Sequence, residues 1–305
     1  RGGSGTRPAR GGDAFADDHR AGQRQPLLCR PPDLAGDAAL QLLAMSRPFI
    51  EFIHAQDRAS KPSVLGPQAD AKVLSQDPAG ATTRLLRLPP GGEATTTEGL
   101  AAEVFVLSGS VSVAGQALGY HGYAYLPVAT TISSQDGATL LAFFDPPAGE
   151  NDPAIIVDTI GQPWDRSGLE GEIAHLNYAR KNLRFSPLGD RRTYLLGGLP
   201  HGFPADGAKL ERHPHAEEMF LIAGDMPCSL GVMTSGAYFY RPPNIWHGLD
   251  CTLSGFLMIM RTPGSNVTIS KWSDDLLPVS YQPDHIPELP LGHPPTSARA
   301  LVPDY

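Results

Sequence analysis

The sequence predicts an all-β protein that contains two copies of one barrel domain. Its 305 residues include 33 Gly and 30 Pro, and these residues separate short apolar runs in the way that turns separate strands. Stretches with the 3.6-residue apolar period of an amphipathic helix are scarce. A repeated set of strand-like segments divides the chain into two similar halves. These three observations favour two tandem β-barrels over a mixed fold.

The internal repeat consists of three pairs of segments that occur in the same order in both halves. In the middle pair, Glu-Val-Phe-Val-Leu-Ser-Gly corresponds to Glu-Met-Phe-Leu-Ile-Ala-Gly, a buried strand followed by a turn glycine. Two copies of one β-domain explain this agreement better than chance does. The corresponding segments are residues 72–80 and 181–189, 103–109 and 218–224, and 122–127 and 236–242.

Composition divides the chain into four parts. Residues 1–44 are rich in Gly, Arg, Asp and Pro, and we expect a disordered extension because such a segment cannot bury enough apolar surface to offset its ordering entropy. Residues 45–150 and 151–272 hold the two barrel copies, which a Pro- and acid-rich link at 145–152 separates. Residues 273–305 are rich in Pro and predict an extended tail, which either wraps a domain or a neighbouring subunit or lies in solvent.

Charge and cysteine content exclude several classes of protein. The net charge of −8 argues against a nucleic-acid partner, since binding to phosphates needs a basic surface. No apolar run approaches the roughly 18 residues of a membrane-spanning helix, so no membrane partner is expected. Three cysteines provide no disulfide framework, which favours a reducing, cytoplasmic location.

The second copy contains a group of potential metal ligands. Glu211, His213, His215 and Glu217 alternate along the chain, so an extended backbone would place them on one face, although the proline between the two histidines favours a local bend. His247 follows a later strand-like segment and would complete the set. Two imidazoles and one carboxylate are typical of non-haem Fe(II) oxygenases. The alternative is a solvated loop that carries surface histidines and glutamates.

The segment that ends at His247 resembles the second motif of the cupin family. That motif is a glycine, five residues, Pro-x-Gly, two residues and a histidine, and Gly236, Pro242 and His247 take its fixed places. Asn244 replaces the second glycine, a mild change because Asn tolerates the left-handed backbone of a turn. The resemblance implies two tandem cupin-type double-stranded β-helix (jelly-roll) barrels, a bicupin. It covers about residues 47–260 and extends to bacterial two-domain cupins of unknown function and to cupin domains of zinc-binding anti-sigma factors.

The first cupin motif, a His-x-His followed by a glutamate and a closing glycine, fits this chain in two registers. Counting back from Gly224 assigns Glu217 and His213 as ligands, puts Glu211 in the place of the first histidine as a potential fourth ligand, and leaves His215 as a spare near the metal. Counting forward from the preceding glycine pairs His213 with His215, but then a single residue separates that pair from Glu217. We prefer the first register because the strand that Gly224 closes anchors it.

The first copy lacks this set of ligands. Thr96, Glu98 and Ala102 occupy the three positions of the first motif, and no histidine follows Pro127 at the place of His247. Without histidines a site loses the borderline ligands that transition metals prefer. We therefore expect a metal-free scaffold in the first domain and one divalent ion in the second. Its oxygen-rich ligand set favours Fe(II) or Mn(II), with Zn(II) or Ni(II) as alternatives.

Aromatic and basic residues near the predicted ligands are candidates for binding. Tyr238, Tyr240 and Trp246 are candidates for the lining of an apolar cavity that binds a substrate or cofactor. The alternative is that they fill a barrel core, as aromatic residues in strands usually do. Arg241 is a candidate for holding a substrate carboxylate or enolate, unless it points into solvent.

Three functions are compatible with this pattern. The first is a dioxygenase-type enzyme that acts on a small enolisable or phenolic substrate, and it is the one we favour. The second is a metal-dependent isomerase, lyase or hydrolase in which His215 or Glu218 serves as a general base. The third is a non-enzymatic sensor or binding protein. The resemblance also implies a homodimer, in which paired sheet edges would be protected.

Overall fold

The computed structural model describes residues 47–147, 152–168, 170–228 and 231–277. The predicted extension at 1–44 and the part of the predicted tail beyond residue 277 lie outside the described residues. Within them, helix is limited to two 3-10 segments, Ala55–Asp57 and Gly171–Leu176, and no helix has the length and apolar character needed to cross a bilayer. The strands are β1 Ile50–His54, β2 Lys61–Pro62, β3 Asp70–Gln76, β4 Thr82–Leu88, β5 Gly92–Thr95, β6 Ala101–Gly109, β7 Val111–Val113, β8 Gln116–Leu118, β9 Gly122–Leu126, β10 Thr131–Ser134, β11 Ala138–Asp145, β12 Ile155–Asp158, β13 Ala179–Phe185, β14 Arg192–Gly198, β15 Ala208–Arg212, β16 Glu217–Cys228, β17 Gly231–Thr234, β18 Ala237–Arg241, β19 His247–Gly248, β20 Phe256–Arg261 and β21 Lys271–Leu277. The predicted all-β class is confirmed.

Two antiparallel sheets form the first barrel. Their strand orders are β12-β9-β6-β11-β4-β3-β2 and β5-β10-β7-β8. On β6, Ala102, Val104 and Val106 face the barrel interior, where they pack with Leu86 of β4 and Leu140 of β11. Alternate residues of a strand point to opposite faces, so the residues between them face away from this interior. Close packing of small and branched side chains makes the first barrel a solid support.

The second barrel has the same plan but a different interior. Its large sheet has the order β1-β18-β16-β20-β14-β13, with β17 paired to β16, and β19-β15-β21 forms the smaller sheet. Its interior contains larger and more flexible side chains than the first, among them Met219, Phe239, Met258 and Met260. β21 runs past the predicted domain limit at residue 272 and pairs with β15.

The two barrels exchange strands at their edges. β1 precedes the first barrel in sequence but pairs with β18 of the second, with Ile53 opposite Tyr238. β12 follows the predicted boundary at 150 but pairs with β9 of the first barrel, with Ile156 opposite Ala124. Each exchanged strand covers a sheet edge that would otherwise present unpaired backbone groups. The domain limits predicted from composition therefore differ from the limits of the sheets, because each large sheet includes one strand from the other half of the sequence.

A third apolar core, in addition to the two barrel interiors, lies between the large sheets of the two barrels. Phe105 and Phe220, which are equivalent in the internal repeat, both enter this core together with Phe143 and Ile259. These side chains belong to strands whose alternate residues already fill a barrel interior. β6 and β16 are consequently buried on both faces over most of their length, and this explains why both read as continuous apolar runs.

A buried polar cluster lies inside this interface and follows the repeat. Glu103 and Glu218 are equivalent residues, and each accepts a hydrogen bond at 2.6 Å from the tyrosine of its own copy, Tyr123 or Tyr238. Each also accepts one from a threonine hydroxyl of the other copy. Arg261 donates to both carboxylates, at 3.0 Å to Glu103 and 2.6 Å to Glu218. The carboxylates are thus satisfied from both copies, which a buried charge requires.

The repeat keeps a glycine at the end of β6, Gly109, and within β16, Gly224, which does not close its strand as predicted. Gly109 and Gly224 have φ of 73° and 88°, a left-handed backbone that disfavours any side chain. A Cβ at Gly109 would lie 2.1 Å from the carbonyl oxygen of Gly137, and one at Gly224 would lie 1.9 Å from that of Gly255. Glycine is needed at both positions because the backbone there passes directly against a neighbouring segment of the chain.

Candidate metal centre

Three short segments bring the predicted ligands together. Glu211 lies on β15 directly opposite His247 of β19. His213 follows β15, and Glu217 begins β16 after the bend that the proline favours. The backbone N–H of Asn244 donates to the carbonyl oxygen of His213 at 2.7 Å, which ties the second motif to the first. Asn244 has φ of 66°, the left-handed turn conformation that its place in the motif predicts.

The four side chains are buried and face one another. Nε2 of His213 lies 3.7 Å from Glu211 Oε2 and 3.6 Å from Glu217 Oε1. Nε2 of His247 lies 3.6 Å from Glu211 Oε1 and 3.3 Å from Glu217 Oε2. Ligand atoms of Glu211, His213 and His247, one from each, lie within 4.8 Å of one another, and the Glu217 carboxylate lies within 3.6 Å of both imidazoles. Each carboxylate therefore spans the two histidines.

The donor set fits a divalent metal. Ligand atoms at about 2.1 Å from one ion, with angles between about 90° and 109°, are separated by about 3.0–3.4 Å, close to the spacings observed. Nδ1 of His213 donates to the carbonyl oxygen of Ile269 at 3.1 Å, and Nδ1 of His247 donates to that of Ile245 at 2.9 Å. In the neutral imidazole these bonds place the proton on Nδ1, which directs Nε2 toward a metal as in most metal-binding histidines. Both Nε2 atoms are buried without a hydrogen-bond partner.

Charges within the cluster shift the pKa values of its members. Burial opposes the ionised form of Glu217, but His213 and His247 outweigh it and hold the pKa of this carboxyl well below its usual range. Burial and Arg241 lower the pKa of His247, but the neighbouring carboxylates of Glu211 and Glu217 raise it to about 9. The two carboxylates therefore favour the protonated form of His247 when no metal is bound. A proton and a metal ion compete for the same nitrogen.

His215 lies beside this cluster without joining it. Its ring stacks on that of His213, with centroids 5.1 Å apart and an angle of 7° between the planes. Nδ1 donates to the carbonyl oxygen of Ala216 at 2.9 Å, and Nε2 accepts from the backbone N–H of Ile269 at 3.3 Å. Both nitrogens are thus engaged, and burial lowers the pKa of the ring. His215 thus packs against a ligand, and the general-base role predicted for it stays a prediction.

The structure corrects the role predicted for Glu218. Consecutive residues of β16 face opposite sides, so Glu217 enters the second barrel while Glu218 points into the interface between the copies. There it is paired with Arg47 at 2.8 Å and Arg261 at 2.6 Å. Glu218 cannot act as a base toward a molecule bound at Glu217, because the strand lies between them.

The predicted binding role of the three aromatic residues is corrected by the same geometry. Tyr238 donates to Glu218 at 2.6 Å in the interface, and its hydroxyl oxygen accepts from that of Ser75 at 2.7 Å. Tyr240 also belongs to the interface core, where the guanidinium of Arg47 lies 5.4 Å from its ring centre. The guanidinium of Arg212 lies over the ring of Trp246, at 4.6 Å from the ring centre. Trp246 is not among the residues that line the cavity described next. Filling of a core was the correct alternative for both tyrosines.

The cluster opens on a cavity of about 370 Å³ inside the second barrel, within the size range of small-molecule sites. Glu211 and Glu217 form part of its wall. The other polar residues of the wall are Glu170, Tyr178, Arg180, Tyr194, Arg241, Asp250, Thr268 and Ser270. Its apolar side chains are Ile173, Leu176, Leu196, Met226, Pro227, Met233, Phe239, Phe256, Met258 and Met260.

Arg241 lies where the sequence predicts a residue that binds an anionic substrate. Its Nη1 is 3.3 Å from Glu217 Oε2, its Nη2 is 4.0 Å from Glu51 Oε1, and its guanidinium stacks 3.7 Å from the ring centre of Phe239. Its Nε is buried without a hydrogen-bond partner. The side chain is therefore held in the cavity wall beside Glu217.

Two acidic residues of the cavity were missed by sequence reasoning. Burial, followed by the charge of Glu211, raises the pKa of Asp250 to about 7, and its Oδ2 has no hydrogen-bond partner. Burial also raises the pKa of Glu170, which accepts hydrogen bonds from Ser270 at 2.9 Å and Trp272 at 3.1 Å. The sequence signal for Asp250 is its position three residues after His247. No neighbouring motif distinguishes Glu170.

The equivalent positions of the first barrel have other environments. Thr96 accepts a hydrogen bond from the backbone N–H of Thr130 at 2.9 Å, Glu98 is exposed, and Ala102 belongs to the apolar interior. Among the described residues, the group of His, Cys, Asp or Glu side chains close enough to share an ion is the one in the second barrel.

Solved structures of other proteins share this fold. A protein of Nostoc punctiforme provisionally assigned as a dioxygenase matches with a TM-score of 0.60 at 18% identity, over 81% of this chain and 96% of that one. The protein Ylba of E. coli matches with a TM-score of 0.54 at 16% identity, over 75% and 98% of the two chains. A protein provisionally assigned as the glyoxylate-induced protein of Pseudomonas aeruginosa matches with a TM-score of 0.54 at 13% identity, over 78% and 95%. No protein-family model matches the sequence, and no curated protein matches it either. The predicted fold of two tandem β-barrels is confirmed.

Proposed function

We propose that this chain is a metalloenzyme that binds one divalent ion through Glu211, His213, Glu217 and His247 and performs dioxygenase-type chemistry on a small enolisable or phenolic compound. The observation that carries the proposal is the convergence of two partnerless imidazole nitrogens on two buried carboxylates in a cavity wall. Two carboxylates make the site oxygen-rich, which favours Fe(II) or Mn(II). Such an ion would supply an open coordination position and, as Fe(II), reactivity toward O₂. The provisional dioxygenase assignment of the Nostoc protein agrees with this reaction class.

The residues of the chain contribute binding and orientation. Arg241 presents a guanidinium beside Glu217, where it can pair with an enolate or carboxylate oxygen of a substrate. Stacking on Phe239 and the contact with Glu217 fix the direction of this guanidinium, so little side-chain entropy is lost on binding. The apolar residues of the wall exclude water from the bound molecule and strengthen these charged contacts.

Metal content tests the site first. Purified protein should contain close to one equivalent of iron or manganese, measured by mass spectrometry, and His213→Ala and His247→Ala should each lose it. The control is His215→Gln in the same loop, which should keep its metal because His215 is engaged with backbone groups. Stoichiometric metal in the His247→Ala protein would contradict the ligand assignment. Iron-loaded protein should then consume O₂ with a β-diketone or a catechol.

One observation favours a second function, a non-redox metal-dependent isomerase, lyase or hydrolase. Asp250 lines the cavity and has a buried carboxylate oxygen without a partner, which is the position of a potential general acid or base. Turnover by zinc-loaded protein without O₂ consumption would favour this function over the first. Loss of that turnover in Asp250→Asn, with metal content unchanged, would identify the residue.

A further inference from the structure

The cavity changes its chemical character along the barrel strands. Arg241 lies opposite Glu217 at the start of β16. Met260 lies level with the residue two positions farther along β16, and Met258 lies level with the residue four positions farther. At about 3.3 Å per residue, these methionines are about 7 and 13 Å beyond the level of Glu217. The cavity therefore has a charged end at the candidate metal centre and continues away from it between apolar strands.

Methionine dominates the end of the cavity that is remote from the metal centre. Beyond Gly224 on the same strand, Met226 of β16 pairs with Met233 of β17, and both line the cavity. Four of the six methionines of the chain thus face one cavity. Because the thioether side chain is unbranched and polarisable, such a wall adapts its shape to an apolar group.

Arg180 is the charged residue that lies at the level of this apolar region. It is opposite Leu196 on β14, which in turn is opposite Met258. Its Nη2 donates to the carbonyl oxygens of Ser167 and Gly168 at 3.1 and 2.7 Å. Its charge is therefore directed to backbone groups, so the apolar character of the remote end is maintained.

We infer that the substrate is amphipathic, with a small metal-chelating head that bears an anionic oxygen and an extended alkyl or aryl tail that occupies the methionine-lined end. This inference rests on the proposed metal site and specifies its substrate class. A wholly polar molecule would leave the methionine wall in contact with water, and this contact carries a free-energy cost in proportion to its area. A wholly apolar molecule would offer no polar contact to Arg241 and the carboxylates of Glu211 and Glu217 at the charged end, and this is costly too.

A homologous series of chelators tests the inference on the full chain loaded with Zn²⁺. Acetohydroxamate, butanohydroxamate, hexanohydroxamate and octanohydroxamate share one bidentate anionic head and differ in alkyl length. Titration calorimetry should show the affinity rising about fourfold per added methylene, because each buried methylene contributes about 0.8 kcal/mol. An affinity that does not change with chain length would overturn the inference. Failure of acetohydroxamate itself to bind the metal-loaded protein would instead overturn the metal site, so the two failures are distinguishable.

Matched variants locate the tail. Met233→Gln is nearly isosteric and makes the remote end polar, so the ratio of octanohydroxamate to acetohydroxamate affinity should fall at least tenfold while acetohydroxamate affinity stays constant. The control is Val232→Thr, a similar loss of apolar character at the adjacent residue of β17, which is buried but does not line the cavity. Its ratio should equal that of the unchanged protein. An unaltered ratio in Met233→Gln would place the tail elsewhere and contradict the inference.

Discussion

Glu217 and Glu218 are adjacent, identical in side chain and both buried, yet the structure predicts opposite consequences for their conversion to glutamine. Glu217→Gln removes a charge from the candidate metal centre, where His213 and His247 lie within 3.6 Å of its carboxylate. We expect loss of bound metal with a smaller loss of stability, because Gln keeps the shape of the side chain, Glu211 still faces both histidines and Glu51 still faces Arg241. Glu218→Gln removes a charge from the interface between the copies, and we expect normal metal content with a large loss of stability.

The magnitude for Glu218→Gln follows from its partners. Its carboxylate receives hydrogen bonds from Arg47 at 2.8 Å and Arg261 at 2.6 Å and is fully buried. Breaking a buried ion pair costs about 3–5 kcal/mol. Both arginines also pair with Asp145, so we expect the lower end, about 3 kcal/mol. For a cooperative unit of this size, that corresponds to a Tm lowered by about 6–12 °C.

Chemical and thermal unfolding, followed by circular dichroism on metal-free protein, measure the stability of both variants, and mass spectrometry measures their metal. Glu98→Gln, at an exposed position of the first barrel, is the control for the substitution itself and should change neither quantity. Loss of metal in Glu218→Gln, with stability within about 0.5 kcal/mol of the unchanged protein, would refute the assignment of faces on β16.

Three further predictions concern pH and backbone geometry. Because the carboxylates raise the pKa of His247 to about 9, metal binding must displace its proton, and chelator competition should show affinity rising about tenfold per pH unit from pH 6 to 8. Burial opposes ionisation of Glu103, but Arg261 and Arg184 outweigh burial and lower the pKa of this carboxyl in the folded protein. The ionised carboxylate therefore contributes fully to the free energy of unfolding above the unfolded pKa near 4.5. This contribution is lost as the pH falls below that value. Unfolding measured from pH 6 to 3 should show that decline, and Glu103→Gln should reduce it. Gly224→Ala should destabilise by about 3 kcal/mol or more through its clash with Gly255, whereas Gly80→Ala, where φ is also positive but no atom lies within 4 Å, should cost about 1 kcal/mol.

The sequence by itself determined the fold and the members of the candidate metal centre. Its repeat and turn residues predict two β-barrels, and the spacing of the second motif places His247 opposite Glu211. Motif spacing succeeds here because a strand, a tight turn and the next strand have nearly fixed lengths. The left-handed backbone at Asn244 follows from the same local constraint.

Only the tertiary structure decided which residues share the cavity with these ligands. Alternation along a strand separates two faces but identifies the inner one only when the other is polar and exposed. β16 and β18 pack on both faces, so Glu217 and Arg241 could not be distinguished by pattern from Glu218, Tyr238 and Tyr240. The partners that decided between them, such as Arg47 for Glu218, lie up to 171 residues away in sequence. The chain topology brings these partners together, so the sequence around each residue does not identify them.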